Sequence, residues 1–177
     1  MSAKVRLATV WLDGCSGCHM SLLDMDERLL EFAETMALVY SPLADAKEFP
    51  QGVDVTLVEG AVSSDEDEKR LRLIRERTNI LVSLGDCAVT ANVPSMRNPF
   101  GVDAVLQRAY VENAALHAQI PRQELPLLLP RALPLHHFVE VDVFMPGCPP
   151  SPDTIHFALS ELIAGRRPNF GTRVHFG

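Results

Sequence analysis

Apolar residues fall in short runs, with glycines, prolines and charges between them. Residues 5–12 (VRLATVWL), directly after Lys4, form a run of the length and composition of a buried strand. The tight sequence DGCSGC follows. Then comes MSLLDMDERLLEFAETM, in which Leu22, Met25, Leu29 and Phe32 recur at helical spacing. Ser21, or the loop before it, is placed to cap that helix. A brief strand at 37–40 closes on Ser41-Pro42, and VDVTLVE at 53–59 is a further strand ended by Gly60. Ser63, Ser64 and Asp65 open an acidic first turn. EDEKRLRLIRER continues it as a helix with acid at its start and base at its end, as the helix dipole favours. NILVSL at 79–84 reads as a strand followed by GDCAVTANVPSMRNPFG, and 100–116 as partly helical. FVEVDVF at 138–144 is the last strand, ended by MPGCPPSPD, and 153–164 the last helix. The tail GRRPNFGTRVHFG is loop-like and suited to lie on a partner.

Strands alternating with helices predict an α/β fold, a doubly wound parallel sheet with helices on both faces. Pro121, Pro126, Pro130 and Pro134 mark 117–136 as an irregular excursion from it. At 177 residues, the chain 1–177 fits a single domain with a real core. Its 47% hydrophobic and 22% charged residues exclude a largely disordered chain. A formal charge of −7 argues against nucleic acid and against an anionic membrane surface as partners. No stretch approaches the roughly 20 apolar residues of a membrane span. The N-terminus shows no long apolar segment, twin arginine or cleavage site, so a cytoplasmic location is expected. Thiols stay reduced there, which turns the four cysteines from structural disulfides toward metal ligands or catalytic groups.

Ligands of such sheets sit beyond the carboxyl ends of the strands, and all four cysteines are expected there. Cys15 and Cys18 follow the first strand, Cys87 the strand at 79–84, and Cys148 the strand at 138–144. Cys15-x-x-Cys18 alone is compatible with zinc, an iron–sulfur cluster or thioredoxin-like thiol chemistry. Cys87 after Gly85-Asp86, and Cys148 within PGCPP, lie in loops where glycine allows close approach and proline removes backbone donors. One short pair plus two distant singles suits a cluster cradled by a whole fold better than structural zinc, whose sites usually close with two short pairs. The plainer alternative is that Cys87 and Cys148 are small buried apolar residues. His19, beside Cys18, reads as a polar residue at a helix N-terminus in preference to a cluster or metal ligand, His136-His137 as surface, and the charges at 65–70 as a solvated helix face. Glu59 ends its strand at the same edge, either as a solvated strand end or in proton movement.

Together WLDGCSGCHMSLLDMDE, VEGAVS, GDCAVTANVPSMRN and PGCPPSPDTI make the sequence resemble the small subunit of soluble, NAD-reducing [NiFe] hydrogenases. That group lies within the wider family of the complex I 20 kDa subunit. The resemblance spans nearly the whole chain and implies a flavodoxin-like fold. It also implies that Cys15, Cys18, Cys87 and Cys148 ligate one proximal [4Fe–4S] cluster. A hydrogenase large subunit would carry the Ni–Fe centre, and diaphorase subunits with flavin and further clusters would reduce NAD⁺ (H₂ + NAD⁺ = H⁺ + NADH). This chain would be the first electron relay between them. Complex I relatives, the quinone-linked alternative, carry adjacent cysteines in the first motif; here Gly14 precedes Cys15 and Cys18 lies three positions on, which favours hydrogenase. An FMN-binding flavodoxin-like module is the other alternative, disfavoured because the first loop holds cysteines and no Ser/Thr-rich phosphate cradle. Ala91 stands where glycine is expected in many relatives, and its methyl is tolerable unless φ must be positive. In related small subunits a Glu-Gly pair lies by the subunit interface, so Glu59 is the expected proton relay. Its structural alternative is to cap a neighbouring loop by accepting backbone N–H bonds.

Overall fold

Five short apolar runs line up side by side, and the three central ones, rich in β-branched residues, are largely buried on both faces. The structure, a computed structural model, describes residues 4–176. Its strands are β1 (Val5–Trp11), β2 (Met36–Tyr40), β3 (Val53–Glu59), β4 (Val62–Ser64), β5 (Thr78–Leu84), β6 (Leu128–Leu133) and β7 (Val143–Met145). The central sheet runs β2-β1-β3-β5-β7, with every neighbouring pair parallel. Setting aside β4 and β6, which form a separate antiparallel pair, this is the strand order of flavodoxin-like sheets. The register matters for function. Trp11 stands opposite Glu59, Glu59 opposite Leu84, and Leu84 opposite Met145, so four strands end in one row.

Helices α1 (Gly17–Leu23), α2 (Arg28–Thr35) and α6 (Pro152–Ile163) cover one face. There Leu22, Phe32, Ile155 and Leu159 pack with Leu7, Leu57, Val82 and Leu84. Helices α3 (Asp65–Arg77) and α4 (Asp86–Thr90) cover the other, where Leu71, Ile74 and Ala88 join Ala8, Val10, Val58 and Leu81. The start of α3 is set by a capping box: Ser64 Oγ accepts the Asp67 N–H at 3.1 Å, and the Asp67 carboxylate accepts the Ser64 N–H at 2.9 Å. Ser151 caps α6 by accepting the Thr154 N–H, with Pro152 at the first helical position.

Several sequence expectations change. The single helix expected after DGCSGC is two helices, α1 and α2, broken at 24–27, where Asp26 takes a left-handed φ of +49°. Leu22, Met25 and Phe32 still face one core, so helical spacing survives the break. Of the two expected cap positions the loop supplies it, at Ser16 and without a side-chain bond, while Ser21 sits inside α1. Within 117–136, β6 forms an ordered strand against β4, and Pro130 fits because an edge strand tolerates a missing donor. The strand expected at 138–144 is only Val143–Met145. Ahead of it the Asp142 carboxylate accepts the Leu81 N–H at 2.9 Å and pairs with Arg75 at 2.6 Å, doing with a side chain what a ladder would do with backbone. The loop-like tail folds back on α6: Thr154 Oγ1 donates to Arg173 O, and Arg173 lies over the Phe157 ring. Between Val102 and Glu112, α5 (Val102–Gln107) runs into a π-helical turn. Among the described residues no helix is long and apolar enough to cross a membrane.

Candidate functional site

The row of strand ends fixes the site. Beyond β1, Leu12 N–H donates to Glu59 O at 2.9 Å, and Asp13 and Ala61 exchange backbone bonds at 3.1 and 2.8 Å. Only glycine allows this approach at position 60: φ is +95°, and a Cβ there would lie 2.8 Å from the Leu12 and Asp13 carbonyl carbons. The chain then turns through Cys15, which is exposed, into α1, whose first turn carries buried Cys18. Cys87, half-buried, lies in the first turn of α4 directly beyond β5. Cys148, exposed, lies in the proline loop beyond β7.

These loops touch one another in a closed set. Gly85 N–H donates to Met145 O at 2.8 Å, and Asp86 N–H to Gly147 O at 2.9 Å, joining the Cys87 and Cys148 loops. Ser21 Oγ donates to Pro150 O at 2.6 Å, joining α1 to the Cys148 loop. The Asn92 amide lies 3.8 Å from Cys148 Sγ. The Cys18 sulfur rests against the backbone of Gly85, where a Cβ would come within 2.2 Å of it. The structure therefore brings all four predicted cysteines to one sheet edge.

Burial pushes the Cys18 thiol far up from its usual range, and the Glu59 carboxylate and the other three cysteines push the same way. Burial also raises the Cys87 thiol, with Cys148, Cys15 and Glu59 adding to it against a lowering N–H from Val93. The thiols thus lie within electrostatic reach of one another. Among the described residues, no three His, Cys, Asp or Glu side chains close on a single ion position.

Glu59 is 1% exposed and His19 2%. The carboxylate accepts the His19 backbone N–H at 3.1 Å and makes a short contact with His19 Nδ1, while the buried Nε2 has no partner among the described residues. Gly14 lets its loop lie close to Gly60, since a Cβ there would be 3.2 Å from the Gly60 Cα. Sequence reasoning missed this pairing and took His19 as a helix-terminal polar residue. No local pattern carries it, because what brings the two together is the level ending of β3 and β1, a register of the folded sheet. His136 and His137 are exposed, as expected, their rings 4.9 Å apart. Ala91 is buried with φ +63°, so the backbone does require the left-handed region there.

A protein family described as NADH ubiquinone oxidoreductase, 20 Kd subunit, matches residues 15–162. The NAD-reducing hydrogenase HoxS subunit delta of Cupriavidus necator is 42% identical over 168 residues, covering 92% of this chain and 80% of that protein. A vhu F420-non-reducing hydrogenase subunit of Methanocaldococcus jannaschii is 37% identical over 176 residues, 98% of this chain. The chain spans only 61% of that relative's length. Among solved structures, a chain of an NAD⁺-reducing [NiFe]-hydrogenase in its H₂-reduced state superposes with a TM-score of 0.93 at 39% identity, over 98% of both chains. A Ni-Fe-Se hydrogenase chain of Desulfomicrobium baculatum, at 18% identity and a TM-score of 0.59 over 97% of this chain and 69% of that one, shares the fold. The family match begins at Cys15 and runs past Cys148, taking in every cysteine loop at the row of strand ends: the chain belongs to the NADH ubiquinone oxidoreductase 20 Kd subunit family, and its relatives there are hydrogenase subunits.

Proposed function

We propose that this chain is the electron-transfer small subunit of a cytoplasmic, NAD-reducing [NiFe] hydrogenase, and that Cys15, Cys18, Cys87 and Cys148 hold one [4Fe–4S] cluster. The observation that carries this reading is the set of four thiols on loops that leave three level strand ends and bond to one another. The donor set is all sulfur, which suits iron–sulfur chemistry. A four-iron core spreads its ligands over the corners of a cube, which fits thiols that are neighbours without meeting at one point. Gly85, by lacking a side chain, gives the Cys18 sulfur its place against the Cys87 loop. A metal also answers the electrostatics, because a coordinating thiol loses its proton outright despite burial.

When bound, such a cluster takes up and returns single electrons. The chain's own residues orient it: strand register sets the loop origins, and Ser21, Gly85 and Asp86 tie the loops together. Val93, Met96 and Phe100, 61–71% exposed just beyond the Cys87 loop, offer an apolar surface to a large subunit bearing the Ni–Fe centre. Diaphorase subunits would accept the electrons and reduce NAD⁺. Glu59 and His19, buried beside the thiols, are placed to hold and hand on a proton.

The test is anaerobic purification with metal analysis. About four irons per chain are expected, with nickel on a copurifying partner and H₂-dependent NAD⁺ reduction by the assembly. Cys→Ser at any of the four positions should lower the iron content. Stoichiometric zinc without iron, or a flavin spectrum on the chain alone, would overturn the reading.

A further inference from the structure

Helix α4 takes a carbonyl that the sheet needs. The parallel ladder between β5 and β7 continues past the strands with Gly85 N–H donating to Met145 O at 2.8 Å. The next step of that ladder would pass the Gly147 N–H to Gly85 O. Gly85 O already accepts the N–H groups of Ala88 and Val89, both at 3.1 Å, as the first turn of α4 forms. Gly147, itself buried, is left without the acceptor that the sheet would supply. The Asp86 carboxylate takes its place: Oδ1 accepts the Gly147 N–H at 2.7 Å, while Asp86 N–H donates to Gly147 O at 2.9 Å. Asp86 is 3% exposed. It directly precedes Cys87, and its partner Gly147 directly precedes Cys148.

We propose that Asp86 is a positioning residue of the cysteine site, its carboxylate replacing the interrupted sheet ladder and so setting the distance between the Cys87 and Cys148 loops. The claim about the cluster rests on the four-cysteine reading above; the claim about the loops does not. The side chain acts as an acceptor of fixed reach, so an amide of the same length should serve, whereas a methyl or a longer acid should not.

The experiment uses the full chain, purified anaerobically with whatever partner accompanies it. Iron loss to a ferrous chelator is followed by the fading of sulfur-to-iron absorbance. Asp86→Ala should lose iron faster by on the order of tenfold, the low end of what partners of metal ligands contribute. Asp86→Asn should stay within about twofold of wild type, because it keeps the acceptor. Asp86→Glu, which moves the carboxylate by one methylene, should resemble alanine and replaces it if the alanine chain does not fold. A second arm needs no iron. In the apo chain, alkylation of half-buried Cys87 by iodoacetamide should speed up severalfold with Ala or Glu at position 86 and not with Asn. Asn as labile as Ala or Glu, or all variants equal to wild type, overturns the proposal. A wild-type chain that never holds iron sinks the cluster reading instead, and the alkylation arm then decides for or against Asp86.

Discussion

At Gly85 one methyl group would meet the Cys18 sulfur at 2.2 Å, on a backbone with φ +81°. Gly85→Ala therefore combines left-handed strain, about 1–3 kcal/mol, with displacement of a thiol. The expected outcome is a lower denaturant midpoint together with loss of most iron; wild-type iron content would show that the loop can give way. Glu59 is a different kind of constraint. Glu59→Gln keeps an oxygen for the His19 N–H but cannot take up a proton. If the pair hands protons on, H₂ oxidation by the assembly slows while iron content and subunit association hold. A wild-type rate across the pH range would leave Glu59 as a loop cap only. At this scale the sequence was informative where chemistry sits beside a conformational marker. Cys15, Cys18, Cys148 and Glu59 each adjoin glycine or proline, and Cys87 follows Gly85 by two positions, all just beyond strands, so their convergence was legible. The partnership of His19 with Glu59 was not, because it joins residues 40 apart through a register that only the folded sheet defines. Asp86 was hidden for a related reason, since a buried acid beside a cysteine looks like a helix-start residue until the ladder is drawn.

Elements were legible where one pattern governed them. β3 and α3 stand where a short apolar run ended by Gly60, acid-to-base polarity and Ser64 place them, because capping, dipole and core face all agree. β6 and β7 were misplaced because side chains and prolines, which carry no periodic signal, decide them. Pro130 masks a real edge strand that Asn98 secures, its amide group bonding both the N–H and the C=O of Ala132. Asp142 replaces the first half of an expected strand. Burial works to raise the Asp142 carboxyl, but the Leu81 N–H and the Arg75 guanidinium prevail and hold it below the usual carboxylate range. A depressed folded pKa means that the stabilisation is fully present above the unfolded value of about 3.9. It is lost as pH falls through the lower folded value. Asp142→Asn should therefore flatten the acid limb of stability against pH, while keeping the Leu81 bond through its amide oxygen. Denaturant midpoints measured from neutral pH downward check this, and an unchanged acid limb would assign the slope to other carboxylates.

For the whole molecule, the weightiest feature is where apolar surface remains uncovered. Both sheet faces bury their side chains well, yet Val93, Met96 and Phe100 stay 61%, 69% and 71% exposed between the Cys87 loop and α5. Phe100 borders a shallow cavity of about 390 Å³ with Ala104, Val105 and Ala109, and this segment packs on β6. A chain of charge −7 has polar side chains enough to cover such a strip, so leaving it apolar beside the cysteine edge points to a covering subunit. Burying an apolar side chain of this size contributes roughly 1.5–3 kcal/mol. A charge forced into the same contact adds a desolvation cost. Met96→Glu with Phe100→Glu should therefore weaken association with the proposed large subunit by well over tenfold, since about 1.4 kcal/mol is tenfold in affinity. The chain itself should stay folded, because exposed substitutions typically change stability by less than about 0.5 kcal/mol. Gel filtration of the assembly at moderate salt, with iron measured on the small-subunit fractions, separates the outcomes. Release of an iron-bearing chain from its partner is the expected result. An assembly that elutes intact with both glutamates in place would mean that the partner docks elsewhere.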